Sequence, residues 1–339
     1  MTSKRNDEKR YKFEKYKQRK AWNLENNIPI RNIKLKKIIR PVLRKILWIQ
    51  RKINRQVVEF INKEIPKVER PIVFAVSHIG KWDFEIINEQ INEHFYVIAS
   101  DYMNMVGNIN GLFLELNGVI FMDIDSKEDR ENSRKMMLKV LEKDNMMIFP
   151  EGTWNLSENE IIRDIHFGTV DIALEKNAVI VPIAIEQYGK RFVINVGTLY
   201  EPNIFVAAMM NQPYCSLNDK NEEERKQKWN IKLKATEELR DRLATLKYEI
   251  WEKEGITQRA NIPYDYWKKF IIERCVEWAG YTMDEQIRNG CFPCEKKKYR
   301  EMIEQICKML ICEKNQFLFS EEIANRSTKD NVQHRFKTI

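Results

Sequence analysis

Pro71-Ile-Val-Phe-Ala-Val-Ser77 is an apolar run without charge, and it leads directly into His78-Ile79-Gly80-Lys81-Trp82-Asp83. A run this short and unbroken, bounded by polar residues, reads as a strand buried on both faces, as in parallel sheets. The pattern returns at Phe95-Tyr-Val-Ile-Ala99, Gly118-Val-Ile-Phe-Met122, Asn145-Met-Met-Ile-Phe149, Val179-Ile-Val-Pro-Ile-Ala-Ile185 and Phe192-Val-Ile-Asn-Val196. Helical patterns such as Asp129 to Lys143 separate these runs. The alternation predicts an α/β fold with a mostly parallel central sheet flanked by helices.

The flanks differ from this centre. From Pro41 onward Val42, Ile46, Ile49, Ile53, Val57 and Phe60 recur at spacings of three and four, with Arg44, Lys45, Arg51, Lys52 and Arg55 on the other sides. This predicts a basic amphipathic N-terminal helix with Pro41 in its first turn. Its stripe docks on the protein's own core or meets a membrane, and both hold together if the stripe packs inward while Arg and Lys face anionic headgroups. Residues 1–30 are polar, charged and almost aperiodic, which predicts a flexible or marginally helical arm. Downstream, a polar stretch over 211–224 overlaps the start of a long charged helix, 222–254, and residues 256–339 read as short helices, among them 264–278 and 296–312. The expected organisation is a basic arm and amphipathic helix over 1–62, an α/β domain over 63–255 and an α-helical C-terminal extension over 256–339.

Charge is unevenly placed. Residues 1–55 hold 19 Lys and Arg against 4 Asp and Glu, a surplus of +15, whereas the whole chain carries +8 and the remainder is therefore net −7. A basic segment on an acidic body points to an anionic partner, either a membrane surface or nucleic acid. Tyr11, Phe13, Tyr16 and Trp22 are interleaved with the basic residues and suit base stacking, but no nucleic-acid-binding motif accompanies them, so nucleic acid is the less favoured partner. No stretch approaches the eighteen or so apolar residues of a transmembrane helix. Met1 to Glu8 lacks the apolar centre of a secretory signal, so a cytoplasmic protein, peripheral on the inner face of the membrane, is expected.

Six cysteines, Cys215, Cys275, Cys291, Cys294, Cys307 and Cys312, are then expected as reduced thiols. Cys291-Phe-Pro-Cys294 with Cys307 and Cys312 is one conceivable zinc set. Cys307 and Cys312 lie five apart in a helical pattern and point to different sides, which disfavours it, and no metal is expected.

Four histidines are present: His78, His94, His166 and His334. His78 follows the strand ending at Ser77, and the carboxyl ends of strands are where α/β proteins place their sites. On a regular helix His78 and Asp83, five apart, would diverge by about 140°. With His78 in the loop and Asp83 in the first helical turn, the imidazole can fold back onto the carboxylate. Asp83 would then hold the tautomer and leave the other nitrogen to take a proton from a hydroxyl. Phe149-Pro150-Glu151-Gly152-Thr153 follows another strand run. By itself it reads as a strand-to-helix turn with a solvated Glu151.

Together the two blocks resemble the glycerolipid acyltransferase superfamily, typified by 1-acylglycerol-3-phosphate acyltransferases. His78 to Asp83 is similar to its His-x-x-x-x-Asp motif, and Phe149 to Thr153 to its Phe-Pro-Glu-Gly-Thr motif. Gly118-Val-Ile-Phe-Met-Asp123 resembles its second block and Val179-Ile-Val-Pro182-Ile-Ala its fourth, so the likeness spans roughly 70–200. The resemblance implies an O-acyltransferase that moves a fatty acyl group from acyl-CoA or acyl-ACP, as co-substrate, to a lysophospholipid hydroxyl, with no cofactor. It implies His78 as general base, Asp83 as its orienter, and Gly80, Lys81, Asp123, Glu151, Gly152, Thr153 and Trp154 near the substrates, with backbone amides near Gly80 or another donor stabilising the oxyanion.

Two positions depart from the family pattern. Ile124 and Trp154 stand where the family usually carries basic residues that grip the acceptor's phosphate, and Arg130, Lys127 or Lys81 would have to replace that charge. An acyltransferase for a non-phosphate acceptor is therefore an alternative, as is a catalytically inactive relative that binds lipid or an anionic polymer.

Overall fold

The computed structural model describes residues 2–30, 32–100, 102–106, 109–155, 161–210, 214 and 221–253. Seven strands form one sheet in the order β1-β7-β6-β2-β5-β3-β4. They are β1 (Val57–Phe60), β2 (Ile72–Val76), β3 (Phe95–Ala99), β4 (Val119–Phe121), β5 (Asn145–Ile148), β6 (Val179–Tyr188) and β7 (Arg191–Val196). Every neighbouring pair is parallel except β6 with β7. That exception is a hairpin closed by two residues, with Gly189 at φ 62°, a left-handed conformation glycine adopts without strain. The mostly parallel α/β expectation is borne out.

The alternation of side chains explains why β2 reads as continuously apolar. Val73 and Ala75 face a core built with α6 (Lys127–Leu141), α7 (Gly168–Lys176) and α9 (Glu222–Lys253). Ile72, Phe74 and Val76 face the opposite core, with Ile86 and Ile87 of α3 (Asp83–Gln90) and Leu114 of α5 (Ile109–Asn117). Both faces are covered, so no position along the strand can be polar without cost. The remaining helices are α4 (Tyr102–Met105) and α8 (Pro202–Met210) in the body and two at the N-terminus.

Those two N-terminal helices correct three expectations. α1 (Thr2–Glu25) is a long helix packed on α6 and α4, not a loose arm. Its contact face is Phe13, Tyr16, Lys17 and Lys20, spaced i, i+3, i+4, i+7. Phe13 stacks on Tyr102 at 4.5 Å between centroids, and Tyr16 meets Phe121 edge-on at 5.7 Å, so two of the aromatics considered for base stacking are engaged within the protein. Lys20 is buried and donates to Phe121 O at 2.8 Å, Asp129 Oδ2 at 2.8 Å and Ser133 Oγ at 2.7 Å. Burial pulls its ammonium below the usual lysine range, opposed by Asp129.

α2 (Ile33–Ile53) starts eight residues before Pro41, which therefore lies inside the helix instead of in its first turn. Val57 and Phe60 do not continue it. They belong to β1, which pairs with β7 beyond a break at Asn54 and Arg55, the latter at φ 54°. The outward stripe is also the one the sequence singled out: Val42, Ile46, Ile49 and Ile53 are exposed, while Ile33, Arg40, Leu43 and Leu47 are buried. Arg40 donates to Asn88 Oδ1 at 2.7 Å, Asn117 Oδ1 at 3.0 Å and Ile91 O at 2.8 Å, and burial lowers its guanidinium to about 9. The extension over 256–339 and all six cysteines lie outside the described residues.

Candidate active site

Strand register alone brings the two sequence blocks together. Ala75 of β2 lies opposite Ile148 of β5 in a parallel pair, so His78 and Glu151, each three residues further on, leave the sheet side by side. The contact follows: His78 N donates to Glu151 Oε1 at 2.7 Å, and Glu151 Oε2 accepts from Arg163 N at 3.0 Å. Glu151 is buried, so it braces the two turns and is not the solvated residue its Pro-Glu-Gly setting suggests. His78 O accepts from Asn155 N at 2.6 Å, which fixes the His78 backbone at both ends.

The ring is fixed as well. His78 sits in the loop after β2, and Asp83, fully buried, is the first residue of α3. One carboxylate oxygen, Asp83 Oδ2, accepts from Ile79 N at 2.5 Å and Gly80 N at 3.0 Å and lies 2.8 Å from His78 Nδ1. An ionised carboxylate only accepts, so this contact places the imidazole proton on Nδ1 and leaves the Nε2 lone pair pointing away from Asp83. The ring stacks on Phe149 at 4.1 Å between centroids and meets Trp154 edge-on at 5.9 Å. The His78 side chain keeps 21% exposure, so a substrate can reach it.

The other expected site residues divide. The Gly80 amide is turned inward to Asp83 and is not directed at an oxyanion. Lys81, half-buried, lies over the Trp82 ring at 5.6 Å. Gly152 sits at φ 70°, a conformation that favours glycine, and the His166 ring lies so close that a Cβ there would come within 2.7 Å of its Nε2. His166 N donates to Pro150 O at 2.8 Å, folding the 161–167 segment over the turn. Thr153 is half-buried, and Trp154 is largely covered by its packing around His78.

Asp123 lies past the end of β4, at the same carboxyl edge of the sheet but three strands from β2. Lys17 of α1 pairs with its Oδ2 at 2.7 Å, and that hydrogen bond foremost holds the Asp123 carboxyl below the usual range. Ile124 is exposed, and Arg130, one of the residues considered as a substitute charge, donates to the Ile124 carbonyl.

The sequence reading missed Lys17 and Lys20, which hold this second block, and Phe149 as the His78 stacking partner. It also passed over Glu85, in the first turn of α3. Glu85 Oε2 and Asp83 Oδ1 are buried without a hydrogen-bond partner among the described residues. Burial, reinforced by the Asp83 charge, pushes the Glu85 carboxyl up to about 7. His94 was legible only as a histidine. It is buried with Nδ1 2.6 Å from Asp144 Oδ2 and Nε2 2.7 Å from Asn117 O, a polar tie between elements well removed in sequence. Among the described residues no group of three or more His, Cys, Asp or Glu is arranged to hold a metal ion.

Comparison with known proteins adds three findings. Residues 57–186 match the family model described as Acyltransferase. An uncharacterized acyltransferase of Schizosaccharomyces pombe is 29% identical over 133 residues, covering 39% of this chain and 47% of that protein, so the match spans about half of the relative's length. The crystal structure of the 1-acyl-sn-glycerophosphate acyltransferase of Thermotoga maritima aligns over 65% of this chain and 87% of that one, at 15% identity and a TM-score of 0.42. The fold assignment rests on the strand order and not on that likeness. The family match encloses both the His78-to-Asp83 turn and the Phe149-to-Thr153 turn, so both blocks of the site lie in the part of the chain, residues 57–186, that is similar to acyltransferases.

Proposed function

We propose that the chain moves a fatty acyl group from the thioester of acyl-CoA or acyl-ACP to a hydroxyl of a lysophospholipid-type acceptor. The observation that carries this reading is the His78 ring, held through Nδ1 by a buried Asp83 whose Oδ2 is itself fixed by two backbone amides. Nε2 takes the proton of the acceptor hydroxyl as its oxygen attacks the thioester carbonyl. The tetrahedral intermediate then expels the thiolate, which recovers the proton from His78, and an ester and a free thiol result. Asp83 stabilises the imidazolium in between. Thioester and hydroxyl supply every atom of this exchange, so the reading needs no cofactor beyond the co-substrate.

In this reading Lys81, Gly152, Thr153 and Trp154 line the approach to His78, and Asp123 marks the far end of the same edge. The lipid acceptor and the basic N-terminal segment fit work at an anionic membrane surface, with the protein peripheral to it. No helix among the described residues is long and apolar enough to cross a membrane. A second reading, an acceptor without a phosphate, is favoured by one feature: an indole packs against His78 where a cation would grip phosphate, while Lys17 is already paired with Asp123 and Glu14.

The test is incubation of the purified full chain with labelled acyl-CoA or acyl-ACP and a panel of lysophosphatidate, lysophospholipids with larger headgroups and monoacylglycerol, read by mass spectrometry. The expected result is one diacyl product that depends on the chain and on one donor. A monoacylglycerol product selects the non-phosphate reading. No acylated product from any combination contradicts acyl transfer and leaves an inactive lipid-binding relative.

A further inference from the structure

α3 opens with two carboxylates in its first turn, Asp83 and Glu85. Asp83 Oδ2 takes the Ile79 and Gly80 amides and faces His78 Nδ1, which leaves Asp83 Oδ1 buried with no partner among the described residues. Glu85 repeats the pattern with a longer side chain: its Oε2 is buried and has no partner there either. In the first turn of a helix the backbone N–H groups find no carbonyl within the helix, so a carboxylate there turns back to meet them. Glu85 does so by accepting from its own amide, and its carboxyl is thereby held at the end of α3 that carries Asp83.

Two buried carboxyls at one helix end do not both ionise without cost. The one with hydrogen bonds keeps its charge and the other gives it up. Burial foremost, and then the Asp83 charge, push Glu85 up to about 7, against the pull of its own amide and of Lys81. The cations of α2, the helix packed on α3, act elsewhere: Arg40 holds Asn88 and the Ile91 carbonyl, and Arg44 and Arg51 hold Glu89, all towards the far end. Asp83 and Lys81 are thus the charges that bear on Glu85, and both belong to the turn that carries His78.

We propose that Glu85 is a positioning residue of the acyl-transfer reaction, a second buried carboxyl that acts on His78 by adding its field to that of Asp83. With His78 as the general base, the reading on which this rests, the imidazole gains part of a proton in the transition state and stands positive against Asp83. When Glu85 is neutral, one negative charge faces that developing cation. When Glu85 is ionised there are two, both out of solvent, and the imidazolium of the transition state is held more strongly. Glu85 gives its proton to solvent across the neutral range, so the rate gains a step there that the dyad alone does not supply.

The test is kcat of the full chain and of Glu85→Gln from about pH 5.5 to about pH 9, with the donor and acceptor that give product at saturation. Glutamine keeps the shape and cannot ionise. The two should run together below about pH 6 and diverge above it, until the native chain is about three- to tenfold faster near pH 8.5. A ratio that stays constant with pH, as a purely structural role gives, overturns the proposal, and so does a variant that equals the native rate at the alkaline end. A second measurement needs no turnover: carbon-13 NMR of the carboxyls in a glutamate-labelled chain, with the Glu85 signal identified by its loss in Glu85→Gln. Glu85 should titrate near 7 in the native chain and about half a pH unit or more lower in Asp83→Asn or, independently, in Asp83→Ser. The same midpoint with and without Asp83 overturns the proposal. A native chain without turnover counts against the acyl-transfer reading alone, since the Glu85 titration is scored separately.

Discussion

Two carboxylates in the first turn of α3 meet different fates. Each has one buried oxygen with no partner among the described residues, but Asp83 finds three contacts through its other oxygen, whereas Glu85, two residues on, is pushed up to about 7 by burial. The sign of the pH effect follows. An unfolded glutamate titrates near 4.3, so from there up to about 7 the folded chain holds a proton that the unfolded chain has lost. Stability from this group is full below the unfolded value and is lost as pH rises through the folded one. Glu85→Gln, neutral at every pH, should therefore add about 1 kcal/mol of stability at pH 5 and about 3 kcal/mol at pH 8. Urea unfolding at the two pH values measures it; an equal difference at both would contradict the assignment. His78 and Asp83 were legible as a pair from spacing and strand position alone. Glu85 was not, because one more glutamate in a helix looks solvated until the fold buries it.

At the scale of elements, six of the seven strands were legible as short apolar runs, since each is covered on both faces. β1 was not, because Val57 and Phe60 continue the three-and-four spacing of α2 and the break at Asn54 and Arg55 carries neither Gly nor Pro. The docking of α1 was hidden for another reason: its contact face is two lysines and two aromatics, and a buried lysine is recognisable only once Asp129 and Ser133 are seen around it. That lysine should be what holds the helix down. Lys20→Met leaves Asp129 buried without its cation, a change of the kind that costs about 3–5 kcal/mol. Limited proteolysis should then cleave α1 faster and the melting temperature should fall, while Lys12→Met, at an exposed pair with Glu8, leaves both within error. Equal protection of α1 in the two variants would show that Lys20 does not anchor it. Because Asp129 Oδ2 also accepts from Asp123 N, undocking α1 should loosen the second block as well.

Across the whole molecule, one geometric fact links fold to chemistry. Parallel pairing of β2 and β5 in a fixed register places His78 beside Glu151, and the shared carboxyl edge gathers residues separated by more than seventy positions in the chain. α3 then carries Asp83 back to the His78 ring at one end and is gripped by Arg40 of α2 just past the other. The central claim is that His78, oriented by Asp83, removes the proton from a lipid hydroxyl. It is tested most directly by the acyl-transfer rate of the full chain and of His78→Ala, with the acceptor and donor that give product and with circular dichroism to verify the fold. The account predicts a fall of about 1,000-fold or more in kcat with the fold intact; a His78→Ala chain that turns over as fast as the native one would contradict it.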